Sequence, residues 1–315
     1  MTQSVNAVLI VNKPQGLTSH DVVARVRRIF KQRAVGHLGT LDPLATGVLP
    51  LVLGNMTRLA QFYLKSEKSY EGVIRFGFAT DTYDADGEPL GVPAELSLPL
   101  ERVRELAGKF CGVIEQTPPP FSAKKIQGVP AYKLARKQKE TPLAPVRVEI
   151  KEFEIVELDG PRAHFRARVA SGTYVRSIAH ELGQLAGCGA HLEALCRTAV
   201  AEFTLADAHK LEDLELSLQN QPGGAPLLAG VARSGDFLDR FATHDPFIHP
   251  RKLLPAFPSV TATDEIAARI RHGQAVNLPD VSRSREVKVF QGQRELIAIA
   301  TRVAGTLFHP KIVLG

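Results

Sequence analysis

Gly36-His37-Leu38-Gly39-Thr40-Leu41-Asp42-Pro43-Leu44-Ala45-Thr46-Gly47 sets one carboxylate among three glycines and a proline. Glycine permits backbone turns and close approaches that other residues resist. Proline fixes its own φ and biases Asp42, the residue before it, towards extended backbone. The stretch therefore reads as a stiff loop that presents one acid at a set angle. A second glycine-proline segment, Lys13-Pro14-Gln15-Gly16-Leu17-Thr18-Ser19, precedes it. The two together read as a site built around a single aspartate.

Working outward, residues 7–11 form a short apolar run that predicts a strand. Thr18 or Ser19 can cap a helix whose apolar positions are Val22, Val23, Val26, Ile29 and Phe30. Its basic residues, Arg25, Arg27, Arg28 and Lys31, read as a solvated face in preference to a direct RNA contact. Residues 48–53 predict a buried strand despite Pro50. A short helix is expected over 56–64. Alternation of Tyr70, Gly72, Ile74, Phe76 and Phe78 predicts another strand. Further helices are expected over 100–110, 174–186 and 263–271, and strands over 146–158 and 163–169. Asp81-Thr82-Tyr83-Asp84-Ala85-Asp86-Gly87 reads as a polar turn, since it lacks the spacing and terminal Glu of a calcium loop. The mixture points to an α+β fold with a largely antiparallel sheet. Residues 219–250, rich in Gly and Pro, suggest a boundary or a surface insertion ahead of a basic tail.

With 315 residues the chain can bury a full core, and 44% hydrophobic against 23% charged residues is ordinary for a soluble globular protein. A net charge of +6 favours a polyanionic partner. The absence of Trp and a count of five Tyr argue against extensive base stacking. Three cysteines, Cys111, Cys188 and Cys196, do not form a disulfide framework, and no segment has the length to span a bilayer. These features predict a cytoplasmic protein.

An enclosed Asp42 would need a cation or hydrogen-bond donors to remain charged. Arg176, in Ser171-Gly172-Thr173-Tyr174-Val175-Arg176, is the best candidate partner, although spacing alone favours an exposed arginine in a first helical turn. Phe121-Ser122-Ala123-Lys124-Lys125, continued by Tyr132, Lys133, Arg136, Lys137 and Lys139, is the clearest basic patch. It suits an RNA backbone and a solvated helix face equally well. Cys188, His191 and Cys196 lack paired zinc spacing. The Asp42 loop lacks the Gly-Lys-Ser/Thr ending of a phosphate-binding loop, so no metal or nucleotide cofactor is expected.

In these segments, and in Asn12, Lys68-Ser69-Tyr70, Thr80 through Gly87, Pro118-Pro119-Pro120 and Gly187-Cys188-Gly189-Ala190-His191-Leu192, the chain resembles the bacterial tRNA pseudouridine-55 synthases, the TruB family. The likeness runs through the first two-thirds of the chain and continues weakly at 270–276. It implies a pseudouridine synthase fold with a long mixed, mainly antiparallel sheet and a small β-rich, PUA-like C-terminal domain. The implied domains are 1–250, with a thumb-like RNA-binding insertion near 118–145, and 251–315. It implies that the T-loop uridine of tRNA is flipped, cleaved from its sugar, rotated and rejoined through carbon. Asp42 would be catalytic, Tyr70 would pack on the base and handle the C5 proton, and Arg176 would pair with Asp42. Tyr174 and Leu195 would line the uridine pocket, and His37 would fill the space left by the extruded base. Lys13, Lys124 and Lys125 would contact RNA. The implied partner is the T-arm and elbow of tRNA, with no membrane and no obligatory protein partner. Asp42 either attacks sugar or base covalently or removes a sugar proton to give a glycal-like intermediate. Cys196 stands where the family often has an arginine. A stand-alone enzyme is preferred to a guide-dependent subunit of the box H/ACA kind, and to a tRNA-folding protein without catalysis.

Overall fold

Residues 7–13 and 46–53 are apolar almost without interruption because the strands they form are covered on both faces. The computed structural model describes residues 5–95, 98–122, 124–126, 129–131, 143–219, 246–279 and 284–315. In β1 (Ala7–Lys13), Ala7, Leu9 and Val11 face one core while Val8 and Ile10 face another. After helix α1 (Ser19–Ile29) and β2 (Val35–His37), β3 (Thr46–Leu53) repeats the division. Its Leu49, Leu51 and Leu53 join the first core, and Val48 and Val52 the second. Pro50 O accepts from Leu38 N (2.9 Å), so the proline nitrogen points to the same side. That side is the gap between the β2 pairing, which begins at Leu51, and the β12 pairing, which ends at Gly47. The missing N–H is tolerated there.

The chain continues through a 3₁₀ turn into α2 (Ala60–Tyr63), then β4 (Lys68–Phe76) and the ribbon of β5 (Ala79–Thr80) with β6 (Pro89–Leu90). Helix α3 (Leu100–Gly108) leads to β7 (Gly112–Gln116) and a second ribbon, β8 (Lys125–Ile126) with β9 (Val129–Pro130). The long hairpin of β10 (Val146–Asp159) and β11 (Arg162–Val169) precedes α4 (Val175–Ala186), β12 (Ala190–Val200), β13 (Phe203–Thr204) and α5 (Leu211–Gln219). The sheet order is β1-β3-β12-β4-β11-β10-β7, with β2 on β3 and β13 on β12. Only β3 and β12 run parallel in it. The expected α+β class and mainly antiparallel sheet are thus observed.

Helices α1, α3 and α4 all contribute to the first core. Val22, Val23 and Val26 of α1 are fully buried, each worth about 1.5–3 kcal/mol. Strand β12, in the middle of the sheet, has no counterpart in the expected elements. Its register shifts twice, between Leu192 and Ala194 and between Arg197 and Ala199, which erases the two-residue alternation that signals a strand.

A second, five-stranded sheet has the order β14 (Ser259–Ala262), β16 (Glu286–Gln291), β17 (Glu295–Ala304), β18 (Leu307–Val313), β15 (Val276–Asn277), with α6 (Asp264–Arg271) against it. Its Phe290, Leu296, Ile299 and Ile312 join the second core beside Val8, Val48 and Tyr63. Polar contacts close this seam. Glu202 Oε1 accepts from Tyr63 Oη (2.6 Å) and Leu254 N (2.9 Å), and Arg58 Nη1 donates to Val313 O (2.6 Å).

Gly47 marks where β3 and β12 come closest. Its φ is +100°, and a Cβ there would lie 2.3 Å from Arg197 O. Gly47→Ala is expected to cost about 2 kcal/mol or more, from left-handed strain and a backbone clash. Urea unfolding checks this, and an unchanged midpoint would refute the close approach.

Candidate active site

Three elements fix the Asp42 loop through its backbone carbonyls. From the end of β1, Lys13 Nζ donates to Pro43 O (3.3 Å), and also to Leu17 O (2.6 Å) and Pro14 O (2.9 Å). Gly16 N adds a bond to Pro43 O (2.9 Å). At the start of α1, Thr18 forms the capping box with Asp21, which frees Ser19 for another task. Ser19 Oγ donates to Leu41 O (3.1 Å) and accepts from Leu41 N (2.8 Å). From β12, Arg197 donates to Gly39 O (3.1 Å), Thr40 O (3.1 Å) and Val48 O (2.8 Å). Asp42 O accepts from Ala45 N (3.1 Å), closing the turn.

This places the Asp42 carboxylate at the mouth of a charged cluster. Arg176 Nε lies 2.9 Å from Asp42 Oδ2, a charge contact in which the N–H is not aimed well enough for a hydrogen bond. The guanidinium is buried, with its side chain 6% exposed, whereas the Asp42 side chain is 40% exposed. Arg176 Nη1 reaches Asp84 Oδ2 (3.3 Å) and donates to Thr82 O (3.1 Å), and Nη2 donates to Phe121 O (3.0 Å). Burial explains why the arginine meets so many acceptors, since an unpaired guanidinium could not leave water. The Thr82–Asp84 turn is held by Tyr83 at φ +68°, stacked on His180 at a ring separation of 3.7 Å. Burial pushes the Asp84 carboxyl up, with Thr82 and Arg176 opposing and Asp42 adding to the rise.

Tyr70, on β4, is buried opposite Arg197 in the strand register. Burial raises the phenol above its ordinary value, and Arg197 opposes the rise. Tyr174 caps α4, where Gln116 accepts from its N–H (2.8 Å) and donates to its carbonyl (3.1 Å). Burial raises its phenol, with Ser122 and Arg176 opposing and Asp42 adding to the rise. Leu195 is buried two residues before Arg197 and opposite Gly72. His37, on β2, accepts from Gly39 N through Nδ1 (3.3 Å), and burial and Arg197 lower its ring below the usual histidine range.

Of the expected RNA contacts, the fold buries Lys13. Lys13 has no exposed surface, so its ammonium ties backbone together and does not present charge to a ligand. Burial pushes it down to about 8, with Asp42 opposing and Arg197 adding to the fall. Lys124 donates to Ala144 O (3.0 Å). The side chain of Lys125 and residues Tyr132, Lys133, Arg136, Lys137 and Lys139 lie outside the described residues. Two side chains central to the cluster escape the sequence reading. Asp84 stands among other acids in what reads as a plain turn. Arg197 lies on the strand whose alternation is erased. Among the described residues no helix is long and apolar enough to cross a membrane, and no three His, Cys, Asp or Glu side chains are grouped to hold a metal ion.

The family model described as TruB family pseudouridylate synthase, N-terminal domain, matches residues 27–175, and the tRNA pseudouridylate synthase B C-terminal domain matches 176–227. The chain is 45% identical over 314 residues to a tRNA pseudouridine synthase B of Solibacter usitatus, covering 98% of this chain and 100% of that protein. The chain belongs to the TruB family. A protein of the same name from Burkholderia mallei is 34% identical over 99% of this chain and 98% of its own. Among solved structures, a chain of an H/ACA RNP bound to a substrate RNA containing 2′-deoxyuridine gives a TM-score of 0.67 at 23% identity, over 98% of this chain and 85% of that one. A chain of a Cbf5-Nop10-Gar1 complex gives 0.67 at 25% over the same shares. The shared fold is the α+β pseudouridine synthase fold, and the TruB-family chain is an enzyme of the isomerase class.

Two expectations follow from this geometry. Lys13→Met should leave the slope of log Kd against log salt for RNA unchanged, because no phosphate contact is lost, while unfolding free energy falls by about 1–3 kcal/mol. A slope reduced by about one unit would make Lys13 an RNA ligand after all. Asp84→Asn should lower turnover by about 10-fold with RNA affinity retained, since Arg176 then loses the anchor that aims it at Asp42. Steady-state kinetics with a parallel binding titration would test this, and wild-type turnover would contradict it.

Proposed function

We propose that this chain isomerises the T-loop uridine of tRNA, position 55, to pseudouridine, with Asp42 as its one catalytic carboxylate. The observation that carries the reading is a half-open aspartate on a braced loop, 2.9 Å from a buried arginine. The relatives named tRNA pseudouridine synthase B supply the substrate class. A uridine inside a folded T-loop is out of reach, so it is extruded at a cost of a few kcal/mol. The net charge of +6 favours the polyanion whose binding offsets that cost. In this reading residues 1–250 form the catalytic domain and 251–315 a PUA-like domain that engages RNA. The 118–145 insertion, with Lys124 and Lys125, grips the T-arm and elbow, and the protein works in the cytoplasm.

The net reaction breaks the N1–C1′ bond, forms C5–C1′ and moves the C5 proton, ultimately to N1. No electrons are gained or lost, so no redox partner is called for. Asp42 starts the sequence, as nucleophile or as the base that removes a sugar proton. Arg176 keeps it oriented and charged. Tyr70 stacks on the freed uracil and handles the C5 proton, Tyr174 and Leu195 border the base, and His37 fills the gap left in the T-loop.

A tRNA transcript incubated with the purified chain, without guide RNA or added protein, should gain pseudouridine at position 55 alone among its T-loop uridines. Asp42→Asn should slow that conversion by about 10³-fold or more while tRNA binding persists. Undiminished conversion would remove Asp42 from the mechanism. A strict requirement for guide RNA would place the chain with the guide-dependent enzymes.

A further inference from the structure

The least expected group near Asp42 is Arg197. Its side chain is completely buried, yet among the described residues it forms no ion pair with a carboxylate. Three of its five N–H groups go to carbonyls, those of Gly39, Thr40 and Val48, which bracket the Asp42 loop on both sides. Tyr70 stands directly across the β12–β4 ladder from Arg197, and the guanidinium opposes the burial-driven rise of its phenol. The backbone of Arg197 is itself pinned, because β3 approaches so closely at Gly47 that only glycine fits. A buried, charged and rotamer-rich side chain is costly where an apolar one would fill the same space. Its placement calls for a role other than stability.

We propose that Arg197 is a positioning residue that sets the Asp42 loop and the Tyr70 ring at a fixed mutual distance and keeps its guanidinium charge beside the phenol oxygen. The inference rests on the reading of Asp42 and Tyr70 given above. The planar guanidinium is suited to the task, since each of its three nitrogens donates to a different carbonyl and two N–H groups remain. A lysine at the same place has one nitrogen and no Nε–H, so it cannot reproduce this fixed fork. Arg176 and Arg197 therefore divide the work. The first touches the carboxylate, and the second touches the loop that carries it and the aromatic ring opposite.

The test is a double-mutant cycle on single-turnover and steady-state pseudouridine formation in a tRNA transcript, using the full chain. Arg197→Lys should lower kcat by about 100-fold with KM within about 3-fold of wild type. In a Tyr70→Phe background the same substitution should cost less than about 10-fold, because the phenol oxygen it serves is already gone. Arg197→Gln, which removes the buried charge and is easier to fold, should show the same split and the same non-additivity. Thermal unfolding establishes that the variants are native. A near-normal kcat for Arg197→Lys, a loss confined to KM, or equal costs in both backgrounds would overturn the proposal. Unfolding of both Arg197 variants would make the residue part of the core and overturn it too. If the wild-type chain makes no pseudouridine, the functional reading itself fails, which is distinguishable from any of these.

Discussion

The loop that carries Asp42 has almost no regular structure, and its rigidity depends on side chains satisfying its carbonyls. Lys13 comes from the end of a strand, Ser19 from the first turn of a helix, and Arg197 from a central strand. Buried carbonyls without partners are costly, so the loop settles where all three donors reach it at once. The direction of one carboxylate is thereby set by the packing of β1, α1 and β12. The two glycine-proline segments are the two halves of one device, since Gly16 and Lys13 converge on Pro43 O.

The same logic explains the two-faced burial of β1 and β3. A strand covered on one side can twist and breathe, whereas one buried on both is held by two cores. The helices supply one cover and the C-terminal sheet the other, through Phe290, Leu296, Ile299 and Ile312. The C-terminal region therefore shares a core with the strands that lead into and out of the Asp42 loop. Tyr63 shows how firmly this seam is made. Burial and the Glu202 carboxylate hold its phenol far above the ordinary tyrosine range.

Legibility from sequence followed the chemistry of each residue. Asp42 was readable because glycine and proline announce a special backbone. The apolar faces of α1, α3 and α4 were readable because helical periodicity survives packing. Arg176 could be named as a partner, yet spacing favoured an exposed residue, because burial of a cation is a tertiary fact that one segment does not display. Strand β12 was missed for a physical reason: two register shifts interrupt its alternation, and its Ala, Leu and Glu favour helices. With it went Arg197. Asp84 was hidden differently, since three acids in a turn look alike until one of them is found against a guanidinium.

The distribution of charge around Asp42 has a consequence for a polyanionic ligand. One buried guanidinium faces two carboxylates, and burial pushes the carboxyl of the inner one, Asp84, up. Behind the loop stand Arg197, Lys13 and Lys68, and burial holds both lysines down to about 8. They are largely charged at neutral pH and lose that charge only as the pH rises through about 8. The cations thus lie beneath the loop, and the Asp42 carboxylate, paired with Arg176, lies at its half-open edge. In the proposed reading a nucleoside enters at that edge, and because the cations beneath it are buried, backbone binding falls to surfaces farther from the acid.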